Sequence, residues 1–254
     1  MLTRRRFLTN SILSAASIGI SACFSSLPVA RAADEVDIPV LLYHRIGNAA
    51  EHLTITPDKF AADLSRLREM GYETISLEKF RQFRLDPETP LPDNPVLITF
   101  DDGYLDNYLN AYAILRKYGM TAAFFVITGM VGEEDRLTAG NIREMAANGM
   151  SIGSHTVSHR PLGDMEVEEA ANEMSFSRLY LEGLLQQPVR YIAYPKGSFN
   201  ESTAHIANEA AYWGGFSVMT GTCSRETNPY VLRRIPVFSY DGNVGRAMEK
   251  RQYG

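Results

Sequence analysis

Two acidic residues stand side by side at Asp101-Asp102, and two imidazoles stand four apart in His155-Thr156-Val157-Ser158-His159. Carboxylates and imidazoles are the side chains that ligate divalent metals and move protons near neutral pH. Adjacent residues leaving a strand point to opposite sides, so one carboxylate can bind a metal while the other faces a substrate. Gly103 permits a tight turn directly after them. The histidine pair, on one helical turn or a compact loop, can close on a single ion. With Asp102 it supplies two nitrogens and one oxygen and leaves positions open for water and substrate, as catalytic zinc sites do. The same set suits non-haem Fe(II), so the ligand types leave both the metal and an iron-dependent oxidoreductase open.

Two further segments sit at equivalent places. His44 follows the first apolar run, and Tyr194-Pro195-Lys196-Gly197 follows the sixth. The elements that must position them alternate along the chain. Strand composition is expected at 40–44, 73–76, 95–100, 121–128, 150–154, 190–194, 215–219 and 231–237. Helix periodicity is expected at 57–70, 107–118, 138–148, 167–186 and 202–211. Thr56-Pro57 reads as an N-cap with proline at the first helical position, and Gly71, Gly119 and Gly149 stand where helices should stop. Such alternation predicts an α/β fold, a distorted (β/α) barrel of about seven parallel strands in a single domain over 37–254. His44, Asp101, Asp102, His155, His159 and Lys196 then all fall at C-terminal strand ends, the rim where α/β proteins build their sites.

Gly149-Met150-Ser151-Ile152-Gly153 matches the G-x-S-x-G pattern of serine hydrolases. That elbow needs a strand before the serine and a helix after it. Here the order is reversed, so Ser151 reads as an ordinary strand residue.

Composition narrows the partners. With 254 residues, 45% hydrophobic and 22% charged, the chain can bury one substantial core, and a net charge of −5 argues against nucleic acid. Residues 1–32 hold Arg4, Arg5, Arg6 and Arg31 and no acid, an apolar small-residue run over 11–22, then Pro28 and Ala30-Arg31-Ala32. This is the layout of an export signal, of twin-arginine type at Thr3-Arg4-Arg5-Arg6-Phe7-Leu8, whose machinery would be a transient partner. Cleavage after Ala32 would leave a periplasmic or extracellular chain of net charge −9, because four bases go with the leader. An alternative reading takes Ile20-Ser21-Ala22-Cys23 as a lipobox and anchors the chain through Cys23. Cys223, the other cysteine, reads as a small buried hydrophobe.

With these residues in hand, the chain resembles the polysaccharide deacetylases, the NodB-homology group of carbohydrate esterases. Thr99-Phe100-Asp101-Asp102-Gly103 is similar to the first motif of that family and Ser154-His155-Thr156-Val157-Ser158-His159 to the second, within a likeness running from about Val40 to Val237. The resemblance implies a divalent metal, most simply Zn2+, on Asp102, His155 and His159, with Asp101 as general base. The third motif, usually Arg-x-Pro-aromatic-Gly, is here Ala193-Tyr194-Pro195-Lys196-Gly197, which retains a Lys196 N–H able to point at an oxyanion. The closing Leu-x-x-His motif is replaced by Leu232-Arg233-Arg234-Ile235. Leu42-Tyr43-His44-Arg45-Ile46 and the stretch 54–77 resemble the poly-β-1,6-N-acetylglucosamine deacetylases, which implies His44 as the general acid. Tyr104, Tyr194 and Trp213 are candidate sugar platforms, with Pro195 beside them. The expected activity is metal-dependent removal of N-acetyl groups from an N-acetylglucosamine polysaccharide. The competing expectation is a catalytically degenerate barrel that binds glycans without cleaving them.

Overall fold

In the computed structural model, residues 36–253 are described, so the leader expected over 1–32 lies outside them. The described chain opens with β1 (Ile38–Tyr43), the short β2 (Arg45–Ile46) and β3 (Thr54–Ile55), and α1 (Pro57–Glu69). Next come β4 (Glu73–Thr74), α2 (Leu77–Leu85), β5 (Pro95–Phe100), α3 (Ala113–Tyr118) and β6 (Ala123–Val126). Then α4 (Ala139–Ala147), β7 (Ser151–Ser154), α5 (Val167–Leu185), β8 (Tyr191–Ala193), α6 (Glu201–Glu209) and β9 (Gly214–Phe216) follow. The described chain closes with β10 (Thr222–Cys223), β11 (Ile235–Pro236) and α7 (Val244–Arg251).

β1, β5, β6, β7, β8 and β9 pair side by side and all in parallel. The segment after β9 joins the two edges of this curled sheet. Leu232 bridges Phe216 in parallel, and three residues on Ile235 and Pro236 pair with Leu41 and Leu42 of β1. The expected strand over 231–237 is therefore split: its first part serves β9 and its second serves β1. β10 adds an antiparallel turn of strand to β1, and β4 flanks β5.

Side-chain parity explains both faces of the sheet. Ile38, Val40, Leu97, Ala123, Phe125, Tyr191, Ala193, Phe216 and Leu232 share one interior cluster with Phe80 and Phe83 of α2. Leu41, Tyr43, Ile98, Phe100, Phe124 and Ile152 point the other way, into a layer completed by α1, α4 and α7. Helix α2, absent from the periodicity reading, is what plugs the barrel from below. Burying Leu77, Phe80 and Phe83 there contributes about 1.5–3 kcal/mol for each side chain. Helix α7 was likewise not expected, and its buried Val244, Ala247 and Met248 close the outer layer. The helix expected over 107–118 opens with a π-helical stretch, Asn107–Tyr112, before continuing as α3.

Local signals act as their chemistry requires. The Thr56 hydroxyl accepts from the Lys59 N–H at the start of α1, and Gly119 takes a left-handed φ of 64° to end α3. Ser151 begins β7 and its hydroxyl accepts from the Leu77 N–H, a structural role far from any nucleophile elbow.

Candidate active site

Interior parity carried past the strand ends selects the site. Positions 97 and 99 of β5 point inward, so Asp101 does too; 232 leads to Arg234, 153 to His155, and 40 and 42 to His44. Asp101 is 3% exposed and Arg234 fully buried. The guanidinium donates from Nη1 to Asp101 Oδ1 and from Nη2 to Oδ2, each at 2.8 Å, and from Nε to the Ser217 carbonyl at 2.9 Å. Burial pushes the Asp101 pKa up, but Arg234 and then His155 outweigh it, and the carboxyl is held below the usual carboxylate range.

Parity alone would send Asp102 outward, away from Asp101. Instead both carboxylates meet the same site, because Asp102 adopts φ 74° and turns its side chain back. Its Oδ1 lies 3.4 Å from His155 Nε2 and 3.2 Å from His159 Nε2, and the three prospective ligand atoms lie within 4.8 Å of one another. Asp101 Oδ2 is 4.0 Å from the same His155 nitrogen. Left-handed backbone recurs around this point, at Thr156 (φ 65°), His159 (φ 60°) and Lys196 (φ 56°), and such outliers cluster where a site dictates geometry.

The donor set fits a divalent cation. His155 Nδ1 sits 2.7 Å from the Ala193 carbonyl, which can only accept, so Nδ1 carries a hydrogen and Nε2 is the nitrogen turned to Asp102, where a bound cation would take the place of its proton. Burial lowers the pKa of His155, but Asp101 and Asp102 raise it further, to a net upward shift. Burial likewise opposes ionisation of Asp102, yet its bonds to His155 and His159 keep it far below the usual range. Two imidazole nitrogens and one ionised oxygen with room beside them is the arrangement of an open catalytic metal centre.

His44 is half-buried, and the charges of Asp101, Asp102, Arg234 and His155 all act on it. Burial dominates and lowers its pKa despite the two aspartates. Its backbone is fixed from the π-helical stretch: Asn107 Nδ2 donates to the His44 carbonyl at 2.8 Å. Asp106 accepts from Arg45 Nε and the Ile46 N–H, at 2.8 and 3.2 Å.

A family model described as polysaccharide deacetylase matches residues 88–214. YxkH of Bacillus subtilis (strain 168), which carries the name of a polysaccharide deacetylase, is 36% identical over 200 residues, covering 79% of this chain and 71% of its own. The chain belongs to the polysaccharide deacetylase family. Among solved structures, the Streptococcus pyogenes deacetylase PplD in complex with acetate matches with a TM-score of 0.80 and 32% identity, over 85% of this chain and 99% of that one. The poly-β-1,6-N-acetyl-D-glucosamine N-deacetylase of Staphylococcus aureus (strain MRSA252) is 27% identical over 199 residues, covering 73% of this chain and 68% of its own.

Within this deacetylase frame, three expected sugar platforms need correction. Tyr194 is fully buried, stacks on Phe199 and donates its hydroxyl to the Tyr230 carbonyl at 3.0 Å. One position past inward-facing Ala193, it points outward into the α5–α6 layer, and Pro195 after it is buried too. Tyr104 stays at the rim, but the Arg45 and Arg136 guanidiniums lie 4.3 and 4.1 Å from its ring centre, so the ring is already stacked on. Trp213 precedes β9, at the opposite end of the barrel from the site, with Arg81 4.0 Å above its ring. Lys196 has an exposed side chain and its backbone lies in the turn after β8. Cys223 is buried and its thiol pushed up to about 11 by that burial, which makes it inert.

Arg234 is the deacetylase site residue that sequence reasoning missed. The Leu232-Arg233-Arg234-Ile235 segment read as a lost motif. Its signal was an arginine at an inward position of an otherwise apolar strand, where a buried charge demands a partner. Ala193 stands where the usual third motif has arginine, and the guanidinium in this site comes from Arg234 instead.

Proposed function

We propose that this chain is a metal-dependent hydrolase that removes N-acetyl groups from an N-acetylglucosamine polymer outside the cytoplasm. The observation that carries this reading is Asp101, ionised by the buried Arg234, beside the convergent Asp102, His155 and His159. A degenerate binding barrel would have no use for that pair. The poly-β-1,6-N-acetyl-D-glucosamine N-deacetylase relative supports the sugar, and the basic, acid-free leader supports export by the twin-arginine route.

Asp102, His155 and His159 would hold the cation, Zn2+ being the ion this donor set and geometry suit. Bound there, it supplies Lewis acidity to an amide carbonyl and to water. Asp101 keeps a lone pair on each oxygen beyond its bonds to Arg234, so it can accept a proton from water as that water attacks the carbonyl carbon. The Lys196 N–H faces the developing oxyanion. His44, acting in its protonated form, which its lowered pKa makes the minor one at neutral pH, gives a proton to the departing amine as the carbon–nitrogen bond breaks, leaving acetate and a free amino sugar.

The purified protein should release acetate from poly-β-1,6-N-acetylglucosamine or chitin oligomers, lose that activity to chelator and regain it with Zn2+. Peptidoglycan and acetylxylan in the same assay define the polymer. Acetate release indifferent to chelator, or none from any of the four, would overturn the proposal.

A further inference from the structure

The two histidines that face Asp102 sit on a loop that is strained at both ends, and something outside the loop must hold it. Thr156 and His159 have φ of 65° and 60°, a conformation that costs an L-residue of order 1 kcal/mol or more. The loop carbonyls are satisfied from the neighbouring strand exit: Thr128 N–H donates to Thr156 O at 3.0 Å, and Gly129 N–H to Val157 O at 2.9 Å. The His159 N–H donates to Thr156 Oγ1 at 3.1 Å, while the Val157 and Ser158 N–H groups turn the other way, toward α5. There, Glu173 accepts from the Val157 and Ser158 N–H groups, each at 2.8 Å, and from the Ser158 hydroxyl at 2.7 Å. One turn further along the same helix, the Ser177 hydroxyl meets that of Ser154 at 2.8 Å, and Ser154 Oγ in turn accepts from the Thr156 N–H at 3.2 Å.

We infer that Glu173 is a positioning residue for the metal centre, a carboxylate clamp that sets the spacing of His155 and His159 without touching the ion. This rests on the metal-site reading above. Three features argue for it over a role in general stability. All three bonds go to the loop between the two histidines. Each is charge-assisted, the strong kind of hydrogen bond. Glu173 and Ser177 lie four apart, so one helical face grips the loop on both sides of His155. Groups that orient metal ligands from behind change affinity by about 10–100-fold when removed. Alanine at 173 frees two N–H groups and a hydroxyl to water and lets the loop relax away from its left-handed turns, spreading the imidazoles. Glutamine keeps one carbonyl oxygen for the two N–H groups and should act as a partial replacement.

The test uses the full-length protein stripped of metal and titrated with Co2+ and Zn2+. The Co2+ complex of the wild type should show the visible absorption of a four- or five-coordinate site. Glu173→Ala should weaken both ions by about 10–100-fold and change the Co2+ spectrum, with Glu173→Gln in between. Far-UV circular dichroism and thermal midpoints of the metal-free proteins report any general loss of stability. A Glu173→Ala protein that is less stable but binds Co2+ with wild-type affinity and spectrum would overturn the inference, and so would a Glu173→Gln protein indistinguishable from wild type. Should the wild type itself bind neither ion, the metal reading falls, and the clamp with it.

Discussion

Arg234 grips both oxygens of Asp101 across 133 residues of sequence, at 2.8 Å on each side. The pair is buried, so neither member can be lost cheaply. Arg234→Met leaves Asp101 as an uncompensated buried carboxylate, and stability should fall by about 3–5 kcal/mol in urea unfolding at neutral pH. Against its burial, Arg234 and His155 hold the Asp101 pKa below the ordinary carboxylate value, so its contribution is present above that value and lost as pH falls through the lower folded one. Without Arg234 the carboxyl titrates higher, and the acid limb of the pH dependence of kcat/KM should move upward. An unmoved limb would remove Arg234 from the machinery.

Asp101→Asn keeps the shape of that pair but removes the base. Acetate release should drop by about 10²-fold or more, with Co2+ and Zn2+ still bound. Near-normal turnover would sink the assignment of Asp101.

His44→Gln should reduce kcat by about 10²–10⁴-fold while leaving metal affinity unchanged. Burial lowers the His44 pKa below 6.5, so the unfolded chain binds a proton more readily than the folded one as pH falls below that value. Wild-type stability should therefore decline from about pH 6.5 downward partly through this residue, and the variant should lose that part of the slope. Unfolding curves measured between neutral and mildly acidic pH decide it.

Metal removal should be visible without substrate. Zn2+ at 100 times its dissociation constant should stabilise the wild-type fold by about 2.7 kcal/mol, and His155→Ala should abolish that increment. A variant still stabilised to the wild-type extent would mean that the ion binds elsewhere.

Gly129 approaches the histidine loop so closely that a Cβ there would lie 2.5 Å from the Val157 carbonyl oxygen. Gly129→Ala should push the loop away, costing about 1–3 kcal/mol and weakening Zn2+ binding. Alanine at Gly183, inside α5 and with no atom within 4 Å of the added Cβ, would meet no such clash.

Much of the fold follows from local patterns. The buried run Pro95–Phe100, apolar but for Thr99, spans the whole of β5, and Thr56-Pro57 marks the start of α1 where capping chemistry puts it. Helices α2 and α7 lie outside the periodic stretches, and it is tertiary burial of Phe80, Phe83 and Met248 that settles them. At the site, Asp102, His155 and His159 were legible because their spacing within short motifs fixes their neighbourhood. Arg234 was not, since its partner lies on a strand far away in sequence and only barrel closure brings them together. Tyr194 misled for a related reason: its position next to the rim was legible, but one residue of parity sends it to the other side of the sheet.

Closure of the barrel by Leu232–Pro236 has a bearing on how the protein is made. Synthesis proceeds from the amino end, so Asp101, Asp102, His155 and His159 all leave the ribosome well before Arg234. A chain arrested or clipped ahead of residue 234 holds Asp101 but lacks the guanidinium that keeps its carboxylate ionised. The counter-charge of Asp101 is thus the last part of the site to be made, and it arrives only with the segment that closes the sheet.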